Sequence, residues 1–324
     1  MWLVTALALV AALCFASVTI GSRDVGWADI TAALAGSSEN MSQAAVLKRI
    51  PRTFMALLAG AALGMAGAVM QGVTRNPLAD PGILAVNSGA ALAVVIGIAW
   101  FGIALSYTYV WTAVVGAALA ALFVYGIGSL GPGGASPLKL ALAGTVTSIA
   151  LASFINAVVL GRNDIAGGVR SWMVGGVGGM TFDRVWLVLP FIVLGVVICL
   201  VSARSLNALA LGEEVAAGLG ENVAVARAVS SLGAVILCGA VTSVCGPIGF
   251  VGLAVPHVCR LLVGVDHRWL LPFSALGGAA LLIGADVIGR VIARPTELDV
   301  GVLTALVGAP VFIWIARQRK IKEL

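Results

Sequence analysis

Long apolar runs separated by short polar punctuation set the pattern of this chain. The runs are Leu3 to Ile20, Thr53 to Val73, Ile83 to Phe101, Tyr109 to Ile127, Leu138 to Leu160, Val185 to Val201, Val223 to Cys245, Leu253 to Val263, Leu270 to Arg290 and Val300 to Ala316. Most approach the ~20 residues that a helix needs to cross about 30 Å of hydrocarbon. Leu253 to Val263 is too short to span upright. The runs are uniformly apolar and do not alternate as barrel strands must, so helices remain as the way to satisfy the backbone in lipid. The pattern predicts an all-α, polytopic membrane protein of about ten transmembrane helices, forming one domain over 1–324 with little chain left for anything outside the membrane. The first run lacks the basic flank of a signal peptide and leads into a multi-span body, so it is expected to remain as a helix.

Composition agrees: 60% of the residues are hydrophobic and 10% charged, against roughly 25% charged in soluble domains. Charge is less decisive about orientation. With both termini cytoplasmic, Lys and Arg divide almost evenly between the two sides, and the tail carrying Arg317, Arg319, Lys320 and Lys322 argues for a cytoplasmic C-terminus. Arg49, Arg52, Arg170, Arg184, Arg290 and Arg294 then face away from the cytosol. Such a surplus suits an acidic extracytoplasmic partner, or marks interfacial side chains that snorkel. The five cysteines lie in or beside apolar runs without a CxxC pair and read as small buried residues, with no metal site expected.

An ion-coupled carrier needs titratable groups at membrane depth, and here the acidic residues fall in connections. Asp286 is the exception; it lies four residues before Arg290, so the two are helical neighbours and an ion pair is expected. There is no GxxxxGK[ST] phosphate loop, so uphill transport would draw on ATP hydrolysed by another polypeptide. His257 and His267 lack a second ligand at helical spacing. Gly60, Gly64 and Gly67, and Gly277, Gly278 and Gly284, allow close helix packing.

Three polar or broken segments stand out. In RNPLADPG, Arg75 to Gly82, Asn76 and Asp80 each precede a proline and can cap the turn that follows, predicting one short helical turn and a new helix at Pro81. In SLNALALGEEVAAGLG, Ser205 to Gly220, Ser205 is placed as a cap, Gly212 as a break, and Glu213 and Glu214 at the start of a second helix with Val215 and Leu219 on one face. This pair is either a docking knob or two helices resting on the membrane surface, and the absence of Lys and Arg within it favours the knob. Gly246 to Arg260 is interrupted by Pro247, Gly249, Gly252 and Pro256, as befits backbone buried in protein or lining a cavity. Its place after the seventh run, like RNPLADPG after the second, hints at inverted halves.

The blocks LKRIPRT, GAALGMAGAVMQGVTRNPLADPGILAVNSGAALAVV, LNALALGEEVAAGLG, GPIGFVGLAVPHVCRLLVGVDHRWLLP, ADVIGR and GAPVFIW run in order over nearly the whole chain. In this they resemble the FecCD family, the permeases of ATP-binding-cassette importers for iron chelates, haem and cobalamin. The resemblance implies a permease dimer in the bacterial inner membrane, favouring a heterodimer with a related permease. It also implies two cytoplasmic ATPases carrying ATP and Mg, an extracytoplasmic binding protein, and no catalytic residue or cofactor on this chain. By the same resemblance Arg49 and Arg290, supported by Asp286, receive the binding protein. Leu206, Asn207, Leu209, Leu211, Gly212, Glu213, Val215, Leu219 and Gly220 belong to coupling helices, and Ser136, Pro137 and Leu138 to a cytoplasmic gate, although Pro137 and Leu138 depart from the small hydroxylated residues found there. TRNPLADPG with GVDHRWLLP looks most like D-type ferric siderophore permeases, with haem and cobalamin as the alternatives.

Overall fold

The computed structural model describes residues 2–77, 79–103, 107–130 and 137–317. The helices in chain order are α1 (Trp2–Thr19), α2 (Trp27–Leu34), α3 (Met41–Thr74), α4 (Val86–Phe101), α5 (Tyr107–Gly128), α6 (Pro137–Gly161), α7 (Asn163–Val174), α8 (Phe182–Val201), α9 (Ala203–Ala210), α10 (Glu213–Gly218), α11 (Val223–Cys245), α12 (Val251–Val263), α13 (His267–Ile292) and α14 (Val300–Arg317). There is no strand among the described residues. Each apolar run lies largely within one helix. Seven helices are long and apolar enough to cross a membrane, while α4, α12 and α14 are shorter apolar helices, so ten spans remains an approximate number. The expected ion pair and the helical fold class appear, and of the cysteines Cys199, Cys238, Cys245 and Cys259 are buried while Cys14 is half-buried.

The centre of the bundle is α3 against α13. Gly60 touches the backbone of Gly278, Gly64 that of Ser274, and Gly67 that of Gly252 at the start of α12; a Cβ at any of the three would collide with main chain. Backbones can approach this closely only where both partners are small, and the gain is dispersion contact along the whole seam. At 34 residues, α3 is ~50 Å long, well beyond the ~30 Å of a hydrocarbon core. Its first turns therefore project past the apolar zone and carry Lys48, Arg49 and Arg52. Asn40 caps α3 through Gln43 N (2.8 Å), and Asp266 caps α13 through Arg268 N (3.0 Å).

By contrast, α6 turns Leu142, Val146, Ile149 and Phe154 outward, and an apolar groove of about 1260 Å³ runs between α4, α5 and α6.

The two interrupted segments meet in space. In RNPLADPG, Asp80 caps as expected, accepting from Gly82 N at 2.7 Å with Pro81 in the first turn. The helix it starts is a single four-residue 3-10 turn, Pro81–Leu84, and α4 begins only after the left-handed Ala85. Pro77 lies in a tight turn closed by Ala79 N on Asn76 O (3.0 Å) and does not open a helix. The Asp80 carboxylate lies against Gly252, and Gln71 Nε2 donates to the carbonyls of Gly252 and Leu253 at 3.2 and 3.3 Å. The start of α12, which follows the break at 246–250, is thereby fastened to α3.

Candidate functional site

One end of the bundle gathers the end of α1, the beginning of α3 and the end of α13. Helix α1 has no basic residue in its last turn, so the carbonyls left unpaired there need donors from elsewhere. Arg49 and Arg290 supply them, and Arg294 joins in the turn that follows. Arg49 donates to Val18 O (3.2 Å), Thr19 O (3.0 Å) and Arg23 O (2.7 Å). Arg290 donates to Ser17 O (2.9 Å), Ile20 O (3.3 Å) and Ser17 Oγ (2.6 Å). Arg294 donates to Gly21 O. Thr53 gives its hydroxyl proton to Arg49 O, so the 2.6 Å contact between Ser17 and Thr53 is donated by Ser17.

Behind this collar sits Asp286, fully buried, with one oxygen 2.8 Å from Arg290 and the other 2.7 Å from Arg52 Nη2. Arg52 also reaches Glu297 at 2.5 Å, and Glu297 accepts from Ser22 Oγ at 2.9 Å. Burial pushes the Glu297 carboxyl up, but the hydrogen bond and charge of Arg52 outweigh this and hold it below its usual value. Arg52 and Arg290 are balanced by Asp286 and Glu297, and the further positive charge of Arg49 is met by the carbonyls of Val18, Thr19 and Arg23.

Asp286 and Arg290 pair as their spacing predicts, and Arg49, which the resemblance gives the same docking role as Arg290, lies in the same cluster. Their side chains are turned inward: Arg49 is 6% and Arg290 1% exposed. Arg23 and Arg294 form the exposed basic rim, and Arg294 faces Asp24 at 3.3 Å. Arg52, named in the sequence only among the arginines facing away from the cytosol, and Glu297 complete the cluster.

At the opposite end of α3 and α13 lie α9 and α10. Helix α9 begins at Ala203 after Ser202, so Ser205 is an interior residue and not the cap; Ser202 bonds Ile198 O instead. Leu206 and Leu209 are fully buried against the bundle, and Leu206 approaches Gly72, where the missing Cβ also leaves room for the His267 ring. Asn207 is the joint. Its amide donates to Asp266 Oδ1 at 2.6 Å, and its carbonyl oxygen accepts from His267 N at 2.9 Å and contacts Nδ1 at 2.8 Å. The backbone N–H of Arg268 and the Asn207 amide hold the Asp266 carboxyl below its usual value.

Gly212, at φ +109°, breaks the pair as expected, and Glu213 opens α10 while pairing with Arg227 at 2.6 Å. What faces outward is Leu211, Val215 and Leu219, each at least half exposed. In the gate region Ser136 lies outside the described residues, Pro137 is the first residue of α6, and Leu138 is exposed.

The model of the FecCD transport family matches residues 9–318. The chain belongs to that family. It is 42% identical over 305 residues to the ferric enterobactin transport system permease protein FepD of Escherichia coli, covering 94% of this chain and 91% of that protein. It is equally close, at 42% over 305 residues, to the Fe(3+)-citrate import system permease protein YfmD of Bacillus subtilis, with 93% and 90% covered. A solved metal-chelate type ABC transporter in an inward-facing conformation superposes with a TM-score of 0.84 at 27% identity over 98% of both chains. As a member of the FecCD family the chain is a membrane-spanning permease subunit of an ABC importer, a class that works with a second permease, ATPases and a binding protein.

Proposed function

We propose that this permease carries a ferric siderophore inward across the bacterial cytoplasmic membrane, with both termini cytoplasmic. Its partner is a related second permease, and two copies of an ATPase supply ATP and Mg chemistry that this chain lacks. The observation that carries the mechanism is the placement of two unlike surfaces at opposite ends of one rigid helix pair, α3 and α13. At the outer end the binding protein docks on the basic collar. Arg49 and Arg290 provide its charge from behind, and the rim arginines present that charge to acidic groups on the two lobes. At the inner end Leu211, Val215 and Leu219 seat in the ATPase, while Leu206, Asn207 and Leu209 tie the knob to the bundle. The residues Ser136, Pro137 and Leu138 belong to the cytoplasmic gate in this scheme, and substrate passes between the two permeases. The ferric substrates named for the relatives support the substrate class.

Uptake of radiolabelled iron chelates into proteoliposomes holding the full transporter tests this directly. Accumulation should require ATP, the ATPase and the loaded binding protein. Accumulation by this chain alone under a pH or sodium gradient would make it a secondary carrier and overturn the proposal.

A further inference from the structure

The joint between the knob and the bundle is incomplete on one side. Asn207 turns its amide nitrogen to the Asp266 carboxylate, which only accepts, so its Oδ1 faces His267. An amide oxygen also only accepts, and the 2.8 Å contact with His267 Nδ1 therefore places the ring proton on Nδ1. Nε2 is left as a bare acceptor. It lies over Gly72 of α3, buried and without a donor among the described residues.

An unmatched group of the opposite kind lies nearby. Arg260 stands in the last turn of α12, and its Nη1 and Nη2 are buried with no acceptor among the described residues. The collar arginines Arg49, Arg52 and Arg290, by contrast, all find acceptors. The Arg260 charge is felt at the His267 ring, and a buried ring beside a cation takes no second proton. Gln71 Oε1 is another buried acceptor without a donor, but Gln71 bonds Gly252 and Leu253, about 10 Å back along α12 from Arg260. His267 Nε2 is the acceptor within range.

Each unmatched group is costly on its own, and one hydrogen bond between the two removes both penalties. Little motion is needed to make it. The start of α12 is fastened to α3 through Gln71, and Cys259 Sγ donates to Phe273 O at 3.3 Å, so α12 is held as far as the turn that carries Arg260. Beyond that turn the chain bends at Gly264, at φ +81°, where no neighbour crowds the backbone.

We propose that Arg260 is a positioning residue for coupled transport: its guanidinium donates to His267 Nε2 when ATP is bound to the ATPases, and the bond is open in the conformation described here. Asn207 transmits the change, because a knob pressed by the ATPase moves His267 through the bonds that Asn207 makes to it. A pair that is matched in one state and unmatched in the other supplies the differential interaction that a shift between states requires. The role rests on ATP-driven import, and not on which chelate is carried.

The test uses the complete transporter. Arg260→Met keeps the bulk and removes the donors, Arg260→Lys keeps a donor, and His267→Phe keeps a ring without the acceptor. Trapping the ATPases with ATP and vanadate should raise the thermal unfolding midpoint of the wild type, and this rise should be smaller in Arg260→Met. The nucleotide-free midpoint of that variant should be unchanged or higher, since an apolar side chain relieves the unmatched guanidinium. In proteoliposomes, with ferric citrate and a ferric tris-catecholate as probes, uptake per ATP hydrolysed should fall about tenfold in Arg260→Met, the worth of one hydrogen bond to a charged group. Arg260→Lys should recover part of it. Combining Arg260→Met with His267→Phe should be no worse than His267→Phe alone, because the two groups act as a unit. A lower nucleotide-free midpoint with an unchanged trapping rise would mean that the pair is joined in every state, directly or through a buried water, and overturns the proposal. Wild-type coupling in Arg260→Met overturns it as well. A wild type that imports neither probe counts against the ferric-chelate function, and the trapping rise, which needs no substrate, then decides the role of Arg260.

Discussion

The two ends of the α3–α13 pair solve opposite problems. At the collar end charged side chains are buried against one another and against backbone: Arg290 and Asp286 are almost wholly enclosed, while Arg23, Asp24, Arg294 and Glu297 reach the surface. At the other end apolar side chains are exposed, with Leu211, Val215 and Leu219 standing on the knob beside the exposed Arg204, Glu213 and Glu214, while Asn207 is turned inward. Buried charge fixes geometry, because a wrong arrangement leaves an ion unpaired. Exposed apolar surface has no preferred geometry of its own and gains by being covered. The collar is therefore a preset shape that presents charge, and the knob, in the proposed function, an adhesive contact that a partner completes.

The comparison breaks most readily at Arg290. Arg290→Ala leaves Asp286 to Arg52 alone and strips the donors from Ser17 and Ile20, and should destabilise the protein by about 3–5 kcal/mol, read as a lower thermal unfolding midpoint in detergent; an unchanged midpoint would show that the collar is not structural. Leu206→Ala at the inner end should also be destabilising, by about 2–5 kcal/mol. Replacing Leu211, Val215 and Leu219 by Ser should leave the midpoint nearly untouched and abolish co-purification with the ATPase. Asn207→Ala removes the joint to α13, a loss of about 1–3 kcal/mol locally, and should lower the iron imported per ATP hydrolysed while ATPase binding persists.

Acid is the mildest probe and should act at both ends. The Glu297 and Asp266 carboxyls lie below their ordinary values when folded. Their stabilising contribution is therefore complete above the ordinary carboxylate range, about pH 4, and is lost as pH falls through the depressed values. Glu297→Gln and Asp266→Asn should each flatten this part of the stability profile.

Much of this was legible in the chain because apolar runs of spanning length leave few alternatives to a helix. The Asp286–Arg290 pair followed from helical spacing, and the Asp80 cap from its position before Pro81. Short helices α2 and α7 were not legible, since eight and twelve residues of mixed polarity carry no spanning signal. Leu206 and Leu209, assigned to the coupling helices by the resemblance, face the bundle and are fully buried, because an apolar pair at helical spacing marks a packed stripe as readily as a docking face. Arg52 and Glu297 meet across 245 positions, which no local pattern encodes. The role of Arg49 as a donor to α1 was hinted only by the lack of any basic residue in the last turn of α1.

The contact of Gly60 with Gly278 has a mechanical consequence. Side chains are the compliant part of a helix interface, since rotamers can yield before backbones do. Where main chain rests directly on main chain, that compliance is absent, and α3 and α13 behave as one beam. Its two ends carry the collar and the Asn207 joint, so a displacement imposed at the joint reaches the collar as rotation of the whole beam and is not absorbed along the way. Gly60→Ala would act as a shim at mid-beam, changing the angle between the halves more than the strength of either end.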